Sequence, residues 1–354
     1  MTAAIGIRRE DRGPWERRAP LTPQHVRHLI EAEGLSFVVQ PSDVRIFPDE
    51  DYQAAGAEIN EGLSRCDVIL GIKEIPPTAL EPRKTYAFFS HTIKGQPHNM
   101  PMLRRLLELG CQLLDYERIT DARGRRLIAF GRYAGLAGMI DTLWALGRRL
   151  AWEGIENPFA DIEQTIAYRD LEQARATVRR AGERIARDGL PASLEPLVIG
   201  IAGYGNVSRG AQEILDLLPH VEVSPSQLPD LFESLKPADH HVYKTIFREE
   251  HLVEPVLPCH PFDCQEYYDH PERYRSRFES YVPYLTVLVN AIYWEPRYPR
   301  LLTRACLKYL YAGRQPHLRV IGDISCDVEG AIECTLQTTT PDAPAYVYNP
   351  CTEA

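Results

Sequence analysis

The stretch Leu197-Val198-Ile199-Gly200-Ile201-Ala202-Gly203-Tyr204-Gly205-Asn206-Val207-Ser208-Arg209-Gly210-Ala211, continued by Ile214-Leu215 and Leu217-Leu218, decides the fold. A β-branched apolar run feeds a glycine turn, and the turn opens a helix. In that setting glycines let the main chain approach a pyrophosphate, whose charge is met by amides at the helix N-terminus. Gly203, Gly205, Asn206, Val207 and Ser208 are therefore candidate cofactor ligands. Ser208 stands where the dinucleotide fingerprint carries its third glycine, and Gly210 follows two residues later. A purely structural strand-to-helix turn is the alternative.

Downstream, Val221-Glu222-Val223 reads as a short strand ending at Ser224-Pro225. No Asp or Glu closes it to bind a ribose 2′-hydroxyl, which favours NADP(H) over NAD(H). Tyr284 to Tyr293 and Leu318 to Ile324 supply two more strands. Ligands of such sheets bind beyond the carboxyl ends of strands, so Asn290, Asp323 and Ser325 are expected to face the cofactor. Between them, His240 to Arg300 is rich in histidine and aromatic residues and reads as an irregular insertion. Cys259-His260-x3-Cys264 imitates half a zinc site, but no second half follows, and no metal is expected.

Upstream, the first 120 residues alternate strand and helix signals. Ala4 to Arg8 is a strand, Thr22-Pro23 opens a helix from Gln24 to Glu33, and Gly34 ends it. Val68 to Ile72 is a buried strand ending at Lys73-Glu74. Gly131, Gly135 and Gly138 precede a helix over Met139 to Ala151, read as a hinge or interdomain helix or as an ordinary core helix. The sequence thus predicts an α/β protein of two Rossmann-like domains flanking a cleft: a substrate domain over 1–130 and a dinucleotide domain over 131–333 with an insertion near 239–300. Residues 334–354 are expected to return to the first domain.

Composition narrows the function classes. Hydrophobic residues make up 44% and charged residues 25%, the balance of a globular chain rather than a disordered, collagenous or coiled-coil one. With 49 acidic and 40 basic side chains the formal charge is −9, so the chain lacks the basic surface that nucleic acid requires. Any anion must be held by a local pocket. Eight cysteines spread over 354 residues fit free thiols in a reducing compartment. No apolar run approaches the ~18 residues of a membrane span, so a cytoplasmic location without a membrane partner is expected, Arg8-Arg9 leaving a weaker mitochondrial alternative.

Four clusters mix charge with turn chemistry: Glu16 to Pro23, Lys73-Glu74, Ser90 to Gln96, and Arg123 to Arg126 before Phe130-Gly131. A lysine and a histidine at strand ends of one sheet, Lys73 and His91, offer the pair needed for proton transfers. Paired arginines suit carboxylates because guanidinium presents a planar fork of donors. Solvated surface charge is the plainer alternative for each cluster.

These clusters carry a resemblance. Arg18-Ala19-Pro20-Leu21-Thr22-Pro23, Gly71-Ile72-Lys73-Glu74, Phe88 to Lys94, Gly124-Arg125-Arg126 with Ala129-Phe130-Gly131-x-x-Ala134-Gly135, and Gly203 to Ala211 resemble the lysine-ketoglutarate reductase domain of aminoadipic semialdehyde synthases. More distantly they resemble lysine-forming saccharopine dehydrogenases and the alanine dehydrogenase and transhydrogenase superfamily. His270-Pro271-Glu272-Arg273-Tyr274 and Asn290 to Glu295 fit the reductase domain, and the likeness runs in order over nearly the whole chain.

The resemblance implies an oxidoreductase acting on a CH–NH bond, condensing L-lysine with 2-oxoglutarate and reducing the imine to saccharopine, usually with NADPH. It implies Lys73 as general base and His91 as general acid, with Glu74 and Glu117 tuning the lysine. It places Arg18, Gln96, Arg126 and Phe130 on substrate, and Arg125, Asn206, Val207 and the Asp323 to Asp327 segment on the cofactor. Relatives continue past the position of Tyr348, so a truncated C-terminal return element is expected here, with a separate chain supplying that element or saccharopine oxidation. A non-catalytic cofactor-binding homologue and an alanine-dehydrogenase-like enzyme are the alternative functions.

Overall fold

Short apolar runs separated by capped helices build two parallel sheets. The computed structural model describes residues 4–93, 95–233, 240–312 and 316–353, and the chain divides into two units, Met1–Ala129 and Phe130–Ala354. Lys94 and the start of the expected insertion at 239 lie outside the described residues.

The first unit runs β1 (Ala4–Ile7), α1 (Pro23–Glu33), β2 (Ser36–Val39), α2 (Asp49–Ala54), β3 (Glu58–Ile59), β4 (Cys66–Leu70), β5 (Thr85–Phe88), α3 (Met100–Glu108) and β6 (Gln112–Asp115). Helix α1 starts where the Thr22 hydroxyl accepts the His25 N–H and stops at Gly34, whose φ of +63° suits glycine. The six strands lie in the order β3-β2-β1-β4-β5-β6, and all pairs are parallel. Side chains alternate between two small cores: Val38, Ile69, Tyr86 and Phe88 with Met102 and Leu106 on one face, Ile7, Phe37 and Val39 with Val26 and Tyr52 on the other. The chain leaves β1 toward β2 on one side and returns to β4 on the other. That switch opens a crevice beyond the carboxyl ends of β1 and β4.

The second unit runs α4 (Gly131–Trp152), α5 (Leu171–Asp188), β7 (Val198–Ala202), α6 (Asn206–Leu215), β8 (His220–Glu222), α7 (Leu228–Glu233), β9 (Val242–Phe247), α8 (Glu249–Leu252), β10 (Val253–Pro255), α9 (Cys264–Asp269), β11 (Tyr274–Ser276), β12 (Val287–Asn290), α10 (Arg304–Tyr311) and β13 (Val320–Asp323). Its five-stranded sheet has the order β13-β12-β7-β9-β8, again wholly parallel. β7 is buried on both faces, Ile199 and Ile201 toward the α4–α5–α6 side and Val198 and Ala202 toward the other. Each such buried aliphatic contributes about 1.5–3 kcal/mol. The glycines of α4 admit α6: a Cβ at Gly135 would lie 1.9 Å from the Val207 carbonyl oxygen, and one at Gly210 would lie 1.9 Å from that of Arg132.

Three expectations are corrected here. Val242–Phe247 is a buried strand inside the sheet, not part of an insertion, and it separates β7 from β8. Lys244 makes this run look solvated, yet it is only 4% exposed because its Nζ donates to Asp216 at 2.9 Å. The insertion is the stretch after β9, where β10 and β11 pair antiparallel over a Phe262–Tyr267–Tyr274 cluster. Secondly, the strand expected at Val221 to Val223 is present as β8 but shifted by one residue, so that Glu222 closes it where no acidic residue was expected; it is an edge strand paired with β9. Thirdly, residues 334–353 pack on the second unit rather than returning to the first. Cys334 and Tyr348 join its core, the Tyr346 hydroxyl donates to the Cys334 carbonyl at 2.9 Å, and Lys308 pairs with Glu353 at 3.1 Å.

Candidate active site

In the first unit the carboxyl ends of β1, β4, β5 and β6 each deliver a charged group. Glu10 follows β1 and is buried; its Oε1 accepts the Ile72 N–H at 2.8 Å and its Oε2 the Lys73 N–H at 2.9 Å. It therefore clamps the turn after β4 from which Lys73 emerges. Burial pushes the Glu10 carboxyl up, only partly countered by those two N–H groups and by Arg8. The half-buried Tyr116 is pushed up to about 12 by desolvation, with the charge of Glu10 adding to it.

Lys73 has Glu16 as its acidic neighbour. Burial raises the Glu16 carboxyl, but the hydrogen bonds and charge of Arg18, with Lys73 behind them, hold it below the usual carboxylate range. Arg18 donates from Nε to Glu16 Oε1 at 2.7 Å and from Nη2 to Oε2 at 2.6 Å. Its fork is engaged by Glu16 in this state, where a substrate carboxylate was expected.

His91 follows β5 in the left-handed region, with φ +49°, a conformation that costs about 1 kcal/mol or more outside glycine. Its neighbours hold it there. Fully buried Ser90 donates to Asp115 Oδ2 at 2.5 Å, and Asn99 Nδ2 donates to the His91 carbonyl at 3.2 Å. The imidazole lies nearly parallel to the Phe89 ring at 6.1 Å, and the Arg126 guanidinium sits over that ring at 5.9 Å. His91 Nδ1 is 3.6 Å from Glu117 Oε2, and Arg126 Nη2 is 3.4 Å from Glu117 Oε1. Glu117 Oε2 is buried with no hydrogen-bond donor among the described residues, an acceptor facing the imidazole.

Glu74 and Glu117, expected to tune the lysine, thus stand beside His91. Glu74 pairs with Arg12 and lies 3.5 Å from Asn99 Nδ2. Burial raises its carboxyl, but its own backbone amide, Arg12 and His91 pull it below the usual range. Lys73 and His91 occupy adjacent strand ends, joined where the Phe89 N–H donates to the Ile72 carbonyl at 3.0 Å. Gln96 is exposed at the start of the Pro97–Asn99 turn, where its carbonyl accepts the Asn99 N–H at 3.1 Å, and Arg125 is exposed and paired with Asp121 at 2.7 Å; neither side chain joins this network among the described contacts. Phe130 opens the second unit as the residue before α4.

In the second unit the switch lies beside β7, with β9 on one side and β12 on the other. Gly203 has φ +100°, and a Cβ there would meet the Ala291 carbonyl at 3.0 Å. Gly205 precedes α6, and nothing lies within 4 Å of where its side chain would begin. That bare approach to a ten-residue helix fits a dinucleotide pyrophosphate, with Asn206 and Val207 supplying the first helical amides. Ser208 does not face this space. It is fully buried and accepts Gln212 Nε2 at 3.0 Å, because its place is the packing surface of α6.

Asn290, also fully buried, donates to Asp323 Oδ1 at 2.8 Å, so it orders Asp323 rather than reaching a ligand. Ser325 Oγ donates to the same oxygen at 2.8 Å, and Thr335 Oγ1 donates to Asp323 Oδ2 at 2.5 Å. No cluster of metal-ligating side chains and no helix long and apolar enough to cross a membrane occurs among the described residues. Sequence reasoning missed Glu10, Asn99, Asp115 and Thr335. Only the position of Glu10 just past a strand end signalled it; the others act through contacts far along the chain.

Proteins of known family resemble this chain in sequence and in fold. Residues 6–137 match the family described as alanine dehydrogenase/PNT, N-terminal domain. The α-aminoadipic semialdehyde synthase of Arabidopsis thaliana is 44% identical over 361 residues, covering 98% of this chain and 34% of that protein. A saccharopine dehydrogenase (NAD+, L-lysine-forming) of Candida glabrata is 32% identical over 221 residues, covering 61% of this chain and 57% of that one. An L-alanine dehydrogenase structure superposes with a TM-score of 0.57 at 20% identity, covering 97% of this chain and 80% of that chain, which shows the shared fold. The chain spans between a third and two fifths of the length of the synthases it matches. The chain is thus similar over 98% of its length to an aminoadipic semialdehyde synthase and over 61% to a lysine-forming saccharopine dehydrogenase, carries an alanine dehydrogenase/PNT N-terminal domain over residues 6–137, and has a Rossmann-like fold shared with alanine dehydrogenase.

Proposed function

We propose that this chain is a lysine-ketoglutarate reductase, condensing L-lysine with 2-oxoglutarate and reducing the imine to saccharopine with NADPH in lysine degradation. The observation that carries the reading is that Lys73 and His91 stand at adjacent strand ends, the Lys73 backbone N–H held by Glu10 and the His91 imidazole beside Glu117, in a chain so similar to a synthase along 98% of its own length. Lys73, fixed by Glu10, takes the proton from the ε-ammonium of lysine so that the amine can attack the ketone. His91 gives a proton to the carbinolamine oxygen, which leaves as water. The Glu117 carboxylate stabilises the imidazole while it carries that proton. Arg126 meets a substrate carboxylate, and Arg18 joins it on leaving Glu16; Gln96 and Phe130 complete the substrate contacts. The bound nicotinamide supplies the hydride that reduces the imine carbon. Arg125, Gly203, Gly205, Asn206 and Val207 are assigned to the dinucleotide, with Asn290 and Ser325 holding Asp323 toward it.

The eight free cysteines support a reducing compartment, and we assign the reaction to the cytoplasm. The purified chain is expected to oxidise NADPH only when lysine and 2-oxoglutarate are both present. Ammonia-dependent oxidation of NADH with pyruvate would instead assign an alanine-type dehydrogenase. No turnover with any substrate pair, alongside NADPH binding, would assign a non-catalytic binding protein.

A further inference from the structure

In a sheet of this kind the cofactor's adenosine lies over the strand next to the glycine-turn strand, and the residue just past that strand's carboxyl end meets the ribose 2′ position. The next strand along the chain is β8, but on that side of the sheet the strand beside β7 is β9, with β12 on the other side. Ala202 pairs in register with Phe247, and the Gly203 N–H donates to the Phe247 carbonyl at 2.9 Å. The residue after Phe247 is Arg248. Glu222, which ends β8, stands one strand further out with its carboxylate 3.5 Å from Lys244 Nζ, and the hydroxyl of Ser224, two residues on, is engaged with Ser226 and Gln227.

Arg248 is exposed, forms no ion pair among the described residues, and places its guanidinium 4.9 Å from the centre of the Tyr204 ring. Tyr204 is the middle residue of the Gly203-Tyr204-Gly205 turn, so the stack ties the cation to the turn assigned to the pyrophosphate. The adjacent acid, Glu249, is occupied: Tyr204 donates to its Oε1 at 3.2 Å and Tyr268 to the same oxygen at 2.5 Å. A carboxylate engaged in this way is a poor acceptor for a ribose hydroxyl, whereas the neighbouring guanidinium is open to an anion.

We propose that Arg248 is the residue that selects NADP(H), receiving the 2′-phosphate with its guanidinium backed by the Tyr204 ring. The inference rests on the NADPH reading above and names the group behind it. It also relocates the discriminating position from the end of β8 to the end of β9.

Equilibrium binding of 2′,5′-ADP, 5′-AMP, NADPH and NADH to the purified chain tests it without turnover. The wild type is expected to bind 2′,5′-ADP at least about tenfold tighter than 5′-AMP, as a charge-assisted phosphate contact should provide. Arg248→Ala should erase that difference by weakening 2′,5′-ADP alone, and Arg248→Lys, which keeps the charge, should restore part of it. A preference for 2′,5′-ADP that survives in Arg248→Ala would overturn the assignment while leaving the NADPH reading intact. Equal weakening of 2′,5′-ADP and 5′-AMP would also overturn it, by making Arg248 an adenine or structural contact. A wild type with no preference for the 2′-phosphate would bring down the NADPH reading and this assignment together.

Discussion

The two sheets share one plan and use it in opposite ways. In each, parallel strands diverge beside the first strand of the unit, β1 or β7, and leave a crevice at their carboxyl ends. The first unit fills that crevice with ionisable side chains: Glu10, Glu16, Lys73, Glu74, His91, Glu117 and Arg126. The second presents backbone at its turn, with Gly203 and Gly205 there, Ser208 and Asn290 buried, Asp323 locked by three donors, and Arg248 on Tyr204 as the charged group beside it. A site made of charges depends on protonation and on one or two functional atoms. A site made of backbone depends on how closely helices and strands can approach, so the two should fail under different insults.

The largest effect is expected from removing a functional atom in the charged crevice. Lys73→Met and His91→Gln should each lower kcat by about 10²–10⁴, the usual contribution of a positioned acid or base. Dinucleotide affinity, measured by direct titration, should be unchanged in both. Wild-type turnover in either variant would refute its role, and a parallel loss of dinucleotide affinity would dissolve the contrast between the crevices.

The backbone-built crevice should break differently. At Gly210 an added methyl would sit 1.9 Å from the Arg132 carbonyl oxygen and 3.0 Å from the Leu136 amide, both backbone atoms of α4. Neither can swing aside as a side chain can. Gly210→Ala should therefore destabilise the second unit by about 3 kcal/mol, the upper range for overpacking, and weaken dinucleotide binding by displacing the start of α6. Denaturant unfolding measures the loss. A change below about 0.5 kcal/mol would mean that α4 and α6 are free to separate.

The same contrast explains what could be read in the sequence. Backbone sites leave strong local marks, so β7, the glycine turn and α6 were legible from one stretch, as were Thr22 and Gly34 at the ends of α1. Strand order left no such mark: Lys244 disguised β9 as solvated loop, and its ion pair with Asp216 forms only once the sheet exists. Charged sites are legible as residue types but not as pairings. Lys73, His91, Glu74 and Glu117 were all visible, yet only the geometry puts Glu117 beside the His91 imidazole and Glu10 on the Lys73 N–H. The placement of 334–353 was misjudged because Cys334 and Tyr348 pack in the second core with partners far away in sequence.

The smallest effect is the sharpest probe of the contrast, because it separates charge from packing by pH alone. The folded-state pKa of Glu16 lies below its unfolded value: burial opposes ionisation, but Arg18 and Lys73 outweigh it. A depressed carboxylate contributes stability that is fully present above the unfolded pKa and is lost as pH falls through the folded one. Arg18 is 42% exposed, so solvent screening limits that contribution to about 1 kcal/mol. Glu16→Gln should accordingly be less stable than wild type near pH 7, and the gap should close as pH falls below the ordinary carboxylate range and through the lower folded-state pKa, where wild-type Glu16 itself becomes neutral. Gly210→Ala involves no titrating group, so its deficit should persist over the same range. A Glu16→Gln deficit that does not change with pH would mean that the carboxylate acts through shape rather than charge. The first crevice would then be, at this position, the same kind of structure as the second.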